Sequence, residues 1–196
     1  MQFVPYPKTP RLKRSVVITE KIDGTNAQIV ISQWGYTQGD DDRTNVVAIR
    51  GDRMMRVGSR SRWITPGKDT DNFGFAAWCV ANEEELFKLG VGQHFGEWYG
   101  AGIQRGYGLD HKRFALFNTA RWGQGSVNTP ACCEAVPILP FQDADDANQF
   151  LKDSGSIAVP GFMQPEGVIV YHSAAKQVFK VLIEADEVSK SEAGIA

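Results

Sequence analysis

The sequence predicts an α+β fold in which antiparallel strands dominate. Runs rich in β-branched and aromatic residues recur with turn signals between them, at residues 16–19 and 29–31, 45–50 and 54–59, and 166–171 and 177–182. Residues 71–89 and 143–153 space their apolar side chains at helical intervals instead. Strand pairs joined by a few turn residues need no crossover helix, so the pairing they imply is antiparallel and the helices are additions to it.

The chain is organised around Glu20-Lys21-Ile22-Asp23-Gly24-Thr25-Asn26. Val16, Val17, Ile18 and Thr19 run into this stretch, an Asp-Gly turn follows, and Ile29, Val30 and Ile31 resume the apolar pattern. This reads as strand, turn, strand, with Lys21 at the turn's edge and its ammonium free to reach into a cleft. Such a lysine can serve as a covalent nucleophile when neighbouring cations or desolvation supply the free amine. A hairpin carrying a solvated lysine satisfies the same residues, so the weight of the motif rests on what lies downstream.

Ahead of it, Pro5, Pro7 and Pro10 punctuate a basic stretch with Lys8, Arg11, Lys13 and Arg14. Proline denies this stretch a ladder, so an extended arm is expected, solvated or meeting phosphates. Residues 39–43 form an acidic loop without the alternation and closing glutamate of a calcium site. Strands at 45–50 and 54–59 join at Gly51-Asp52, and the second runs into Ser59-Arg60-Ser61-Arg62-Trp63, where alternating arginines share a face. The helix at 71–89 takes Asp71 or Asn72 as its cap, Phe73, Ala76, Ala77 and Val80 as its inward stripe, and Gly90 as its stop. Next comes an aromatic strand with an embedded glutamate, His94-Phe95-Gly96-Glu97-Trp98-Tyr99-Gly100, and then a glycine-rich stretch to Gly106. Residues 113–120 alternate as a half-buried strand, and 136–141 form a short proline-bounded one. Ala144, Ala147, Phe150 and Leu151 give the helix at 143–153 its inward face. The closing hairpin turns at Ser173-Ala174-Ala175, and a polar tail begins at Asp186.

Composition excludes several classes. A chain of 196 residues with net charge -2 suits one domain with a sizeable core, and neither a linker nor a repeat divides it. It has no run of about 18 apolar residues and no signal-peptide pattern, so a cytoplasmic protein without membrane contact is expected. Cys79, Cys132 and Cys133 are odd in number and two are adjacent, which suits reduced thiols. His94, His111 and His172 lack the paired spacing of a zinc site. The glycines between Gly96 and Gly106 miss the dinucleotide spacing, and Gly67-Lys68 is followed by Asp69 rather than the hydroxyl residue of a Walker loop.

Charged residues inside apolar runs remain to be explained: Lys21, Glu97, Glu166 and Lys180, with Arg60 or Arg62. Such groups are costly unless paired, exposed on one face or functional, and their places at strand ends suggest one cleft that collects them. Two carboxylates and several cations suit a nucleotide with a divalent metal.

In this order the motifs resemble those of the covalent nucleotidyltransferase superfamily of polynucleotide ligases and mRNA capping enzymes, most closely phage-type ATP-dependent RNA ligases. Glu20 to Asn26 is similar to the family's nucleophile motif, and Ser59-Arg60 to the next, with Arg62 an alternative in the same place. Gly96-Glu97-Trp98-Tyr99-Gly100 and Phe114-Ala115-Leu116-Phe117 look like the paired third motifs. Glu166-Gly167-Val168-Ile169-Val170 is similar to the fourth and Phe179-Lys180-Val181 to the fifth.

The resemblance implies a nucleotidyltransferase (ATP-grasp-like) fold of two packed antiparallel sheets with flanking helices and a nucleotide cleft between them. It implies a single domain over residues 1–196, without the oligonucleotide-binding or helical domain that many ligases append. Lys21 would attack the α-phosphorus of ATP, with Mg2+ or Mn2+, to give a lysyl-adenylate. AMP would pass to the 5′-phosphate of an RNA end, and a 3′-hydroxyl would displace it to seal the strand. By the same resemblance Glu20 would contact the adenine amino group, and Phe117 and Ile169 would sandwich the base. Glu97 would hold the ribose and Arg60 the ribose or a phosphate. Asn26 and Lys180 would address the α-phosphate, Glu166 would place the metal, and Asp23 and Gly24 would complete the nucleotide-binding motif around Lys21. Local basic density, rather than the resemblance, would draw RNA along Lys8, Arg11, Lys13 and Arg14, with Arg105 and Arg113. One departure stands out: Leu182 occupies the place of a second lysine in the fifth motif, for which Lys176 or Lys190 could substitute. The alternatives are a related nucleotidyltransferase acting on DNA or capping RNA, and a non-catalytic module that binds nucleotides or RNA ends. Leu182 favours the module; the intact set Lys21, Glu97, Glu166 and Lys180 opposes it.

Overall fold

Asp23 and Gly24 do not close a hairpin. The computed structural model, which describes residues 2–33, 43–123 and 126–184, places the strands on either side of them in different sheets. In chain order the strands begin β1 (Val16–Lys21), β2 (Thr25–Gln33), β3 (Val46–Arg50), β4 (Arg53–Ser59) and β5 (Trp63–Ile64). Helices α1 (Phe75–Ala81) and α2 (Glu83–Leu86) lead to β6 (Gly92–Gly100) and β7 (Lys112–Leu116), followed by α3 (Thr119–Trp122). Then come β8 (Glu134–Ala135), β9 (Ile138–Leu139), α4 (Ala144–Ser154), β10 (Gly167–His172) and β11 (Gln177–Leu182). Neither Asp23 nor Gly24 takes the positive φ that a two-residue hairpin turn needs, which is why the Asp-Gly signal misleads here.

The chain forms two compact units, Met1–Lys21 with Ile138–Ala196, and Ile22–Pro137. In the first, antiparallel pairing gives the strand order β11-β10-β1-β9. Ile18, Leu139 and Val168 are buried with Ala147 and Leu151 of α4, and Val170 and Val181 pack against them. Asp143 caps that helix by accepting from the backbone N–H groups of Asp145 (2.8 Å) and Asp146 (3.3 Å), so the expected helix starts where its Asx signal stands. The closing hairpin forms as expected, with Gly167 opposite Leu182 and His172 opposite Gln177. Its neighbour does not: only Ile138 and Leu139 of the expected strand at 136–141 pair with β1.

In the second unit the sheet runs β3-β4-β2-β6-β7-β8, with β5 on β4; all pairs are antiparallel except β7 with β8. Ala27, Ile29, Ile31, Met55, Val57, Trp98, Phe114 and Leu116 line its buried face, under Phe75, Ala76 and Cys79 of α1. The helix at 71–89 is broken at Asn82, and its stripe is shifted from the one expected. Phe73 and Val80 are exposed, whereas Phe75, Ala76 and Cys79 are buried. Asp71 accepts from the N–H groups of Ala76 (2.8 Å) and Ala77 (3.0 Å), which starts the helical turn several residues later than its sequence position suggests. The strand expected at 113–120 ends at Leu116, and Asn118 caps the short α3. Residues 2–10 of the N-terminal arm form no regular element and are exposed. Most of the acidic loop, the polar tail and Lys190 lie outside the described residues. Among those described, no helix is long and apolar enough to cross a membrane.

Candidate active site

Register places the expected site residues of the first unit. Lys21 lies opposite Gly167, which lies opposite Leu182; one row away Thr19, Ile169 and Lys180 line up in the same manner. Directly opposed residues and their i+2 neighbours share a face, so Lys21, Ile169, Lys180 and Leu182 stand on one face of this sheet. Ile18, Val168, Val170 and Val181 occupy the other face and take α4. Lys21 and Lys180 are two strand spacings and two residues apart, roughly 12 Å at the backbone, within reach of one anion for two long side chains. Lys21 Nζ pairs with Glu166, whose side chain is only 5% exposed against 22% for the lysine. Such a pair anchors the ammonium at the strand end, and removing the lysine would break the buried carboxylate's ion pair.

Leu182 adds an apolar side chain to the row of Lys21. Lys176 does not replace the missing cation, because it sits in the turn at the far end of the β10–β11 hairpin, six residues or roughly 20 Å along the strand from Leu182.

Glu20 faces the opposite way from Lys21. It is 1% exposed and accepts from Ser156 Oγ at 2.5 Å and from the N–H groups of Ile157 and Ala158 at 2.8 Å each. This carboxylate therefore ties the segment at 156–158 to β1, and a direct contact with a base would first require displacing those donors. Burial pushes its pKa above the ordinary 4.5, against the lowering pull of the hydrogen bonds. The fold thus holds the proton more tightly than the unfolded chain does. That contribution to stability is full below the ordinary value and is lost as pH rises through the raised one. Glu20→Gln keeps an acceptor for Ile157 and Ala158 and an amide to donate to Ser156. Urea melts of both proteins from about pH 4 to pH 7 should show a shallower loss of stability in the variant, and equal slopes would clear Glu20 of this role.

In the second unit the segment after Lys21 is fixed from two sides. Asp23 accepts from Arg105 Nε at 3.1 Å, and its backbone N–H donates to the Tyr107 hydroxyl at 2.7 Å. Gly24 runs so close to β6 that a Cβ there would lie 2.5 Å from the Trp98 carbonyl oxygen and 2.8 Å from Tyr99 Cβ. This approach sets Asn26 opposite Glu97, with Ala115 next in the row. Phe117, 40% exposed, continues β7 by donating its N–H to the Phe95 carbonyl at 2.9 Å, and by register it shares the face of Asn26 and Glu97. Arg60 stands exposed just past β4. Arg62 donates to the carbonyls of Thr70 (3.0 Å) and Asp71 (3.2 Å).

Tyr107, Glu134 and Ser156 escaped the sequence reading. Tyr99 and Arg113 both donate to Glu134, whose pKa burial raises, and the Tyr99 ring meets that of Tyr107 edge-on at 5.4 Å. Arg105 and Arg113, expected along an RNA path, are thus tied to carboxylates within their own unit. The available signal was the glycine density after Glu97. Gly100, Gly102, Gly106 and Gly108 all have positive φ, the mark of a tightly folded loop that returns Arg105 and Tyr107 to Asp23.

Together these features define a nucleotidyltransferase fold of the kind found in RNA ligases. Structures of Naegleria gruberi RNA ligase match at low identity. A point variant with ATP and manganese has a TM-score of 0.56 at 19% identity, covering 87% of this chain and 50% of that one. Another variant without ligand gives 0.55 at 21%, with the same coverage of both chains. The ligase with pyrophosphate gives 0.53 at 21%, again covering 87% and 50%. The chain thus spans about half the length of these structures. The sequence model of the RNA ligase family matches residues 14–182, and the chain belongs to that family. No curated protein matches the chain significantly.

Proposed function

We propose that the chain is the nucleotidyl-transferring part of an ATP-dependent RNA ligase working through Lys21. The observation that carries this reading is Lys21 itself, fixed at the end of β1 by the buried Glu166 on the face that also bears Lys180 and Ile169. The Lys21 amine would form a bond to the α-phosphorus of ATP as the bond to the β-phosphate oxygen breaks, and pyrophosphate would leave with the electron pair. The ammonium proton would depart along the existing hydrogen bond to Glu166. Lys180 and Asn26 would meet the α-phosphate, Glu97 and Arg60 the sugar, and Phe117 and Ile169 the base. Glu20 would act through the backbone it holds. AMP would then pass to an RNA 5′-phosphate, and a 3′-hydroxyl would displace it. The similar Naegleria structures with ATP and manganese, AMP and manganese, and pyrophosphate carry the reactant, the retained nucleotide and the leaving group of this chemistry.

Among the described residues no group of three or more His, Cys, Asp or Glu side chains could cage a metal. Glu166 would be the protein carboxylate for a Mg2+ or Mn2+ ion held mainly by the nucleotide's phosphate oxygens and water. Such an ion would neutralise charge developing on the phosphate oxygens. Sealing of a nicked strand tests the substrate. With ATP, RNA bearing a 5′-phosphate and a 3′-hydroxyl should be joined and the equivalent all-DNA nick joined poorly. Equal or better joining of DNA would overturn the RNA assignment.

A further inference from the structure

A row of exposed aromatic residues crosses the sheet of the second unit. Trp63 lies opposite Gly58, Gly58 opposite Gln28, and Gln28 opposite Phe95, while Phe117 bonds to the Phe95 carbonyl in the next register position. Directly opposed residues share a face, so these side chains stand on the side away from the buried core, which is the side of Asn26 and Glu97. Trp63 is 42% exposed, Phe95 43% and Phe117 40%. The row spans four strand spacings, about 19 Å. Large aromatics left wet in the body of a sheet forgo burial energy and commonly mark a binding surface.

Polar groups separate the aromatics. Gln28 accepts from Gln93 Nε2 at 2.7 Å, and a Cβ on Gly58 would lie 3.1 Å from Gln28 Cγ, so the glycine leaves room for this amide to lie across the row. Arg60 is exposed in the segment that leads to Trp63. Spaced rings, amides between them and a cation at one end suit flat, hydrogen-bonding bases on a phosphate backbone better than the continuous apolar surface of a protein partner.

We propose that Trp63 and Phe95 stack the unpaired bases of the RNA strand being processed, along a row that begins at Phe117. This rests on the RNA-ligase reading above and extends it to a strand-binding surface. Variants Trp63→Ala and Phe95→Ala, each compared with wild type by fluorescence anisotropy on a labelled single-stranded RNA, test it. Each substitution should weaken binding about 5- to 150-fold, with an unchanged salt slope because no phosphate contact is removed. An abasic strand of equal length should bind wild type more weakly than RNA does. Circular dichroism checks folding, and Trp63→Gln and Phe95→Gln serve if an alanine variant fails to fold. Unchanged RNA affinity in both variants, equal binding of the abasic strand, or a wild-type dimer that the substitutions dissociate would overturn the proposal. Autoadenylation is measured in parallel: its loss in wild type would defeat the ligase reading, while loss of RNA affinity in the variants alone bears on the aromatic row.

Discussion

Lys21→Arg should fold normally and form no covalent adduct with AMP, a loss of at least roughly 10³-fold in labelling from α-labelled ATP. A guanidinium keeps the positive charge and can keep the contact with Glu166, which is 5% exposed. It cannot release a proton near neutral pH, so it has no lone pair with which to attack phosphorus. Lys21→Ala is the blunter version, because it removes the nucleophile and the ion pair with Glu166 together. Loss of labelling in the arginine variant with an unchanged melting temperature separates chemistry from folding. A labelled arginine variant would show that Lys21 holds charge rather than the nucleotide.

Gly24→Ala should lower both stability and activity. The added methyl would lie 2.5 Å from the Trp98 carbonyl oxygen, 2.8 Å from Tyr99 Cβ and 3.0 Å from Glu97 Cγ. Trp98 and Tyr99 belong to β6 and are buried, so they cannot swing aside as a surface side chain would. The segment must lift from the strand, at a cost of about 1–3 kcal/mol and several degrees in Tm. The same displacement moves Asn26 away from Glu97 and loosens the grip of Arg105 and Tyr107 on Asp23. A misplacement on the order of 1 Å in a reacting constellation can cost about 10²-fold in rate. Thermal melts and single-turnover labelling check the two effects, and a variant with wild-type Tm and rate would mean that β6 gives way easily.

Local pattern made much of the fold legible. The β3–β4 and β10–β11 hairpins are each closed by a few turn residues, and α4 begins at its Asx cap, because such elements are fixed by their own neighbours. The error at Asp23-Gly24 has a different source. Both flanking runs are good strands, but β1 finds its partners more than a hundred residues away in β10 and β9, and sequence spacing carries no trace of that pairing. The first unit is assembled from both ends of the chain, so no linker composition marks its edge. At the site, Lys21, Glu97, Glu166 and Lys180 were visible because charge inside an apolar run is conspicuous. Tyr107 and Ser156 were not, because each acts by folding a loop back onto the chain. Arg60 and Arg62 look alike in sequence, and the contacts of Arg62 with the carbonyls of Thr70 and Asp71 leave no signal there.

The most direct test of the central claim is to find which atom carries the nucleotide. Purified protein incubated with ATP and Mg2+ or Mn2+, then digested and analysed by tandem mass spectrometry, should yield one AMP on the peptide containing Lys21, with fragment ions assigning it to that side chain. Pyrophosphate should remove it, since the phosphoramidate bond forms reversibly. AMP mapped to Lys180 or any other lysine, or a protein that stays unmodified after pyrophosphate stripping and fresh ATP, would contradict the account.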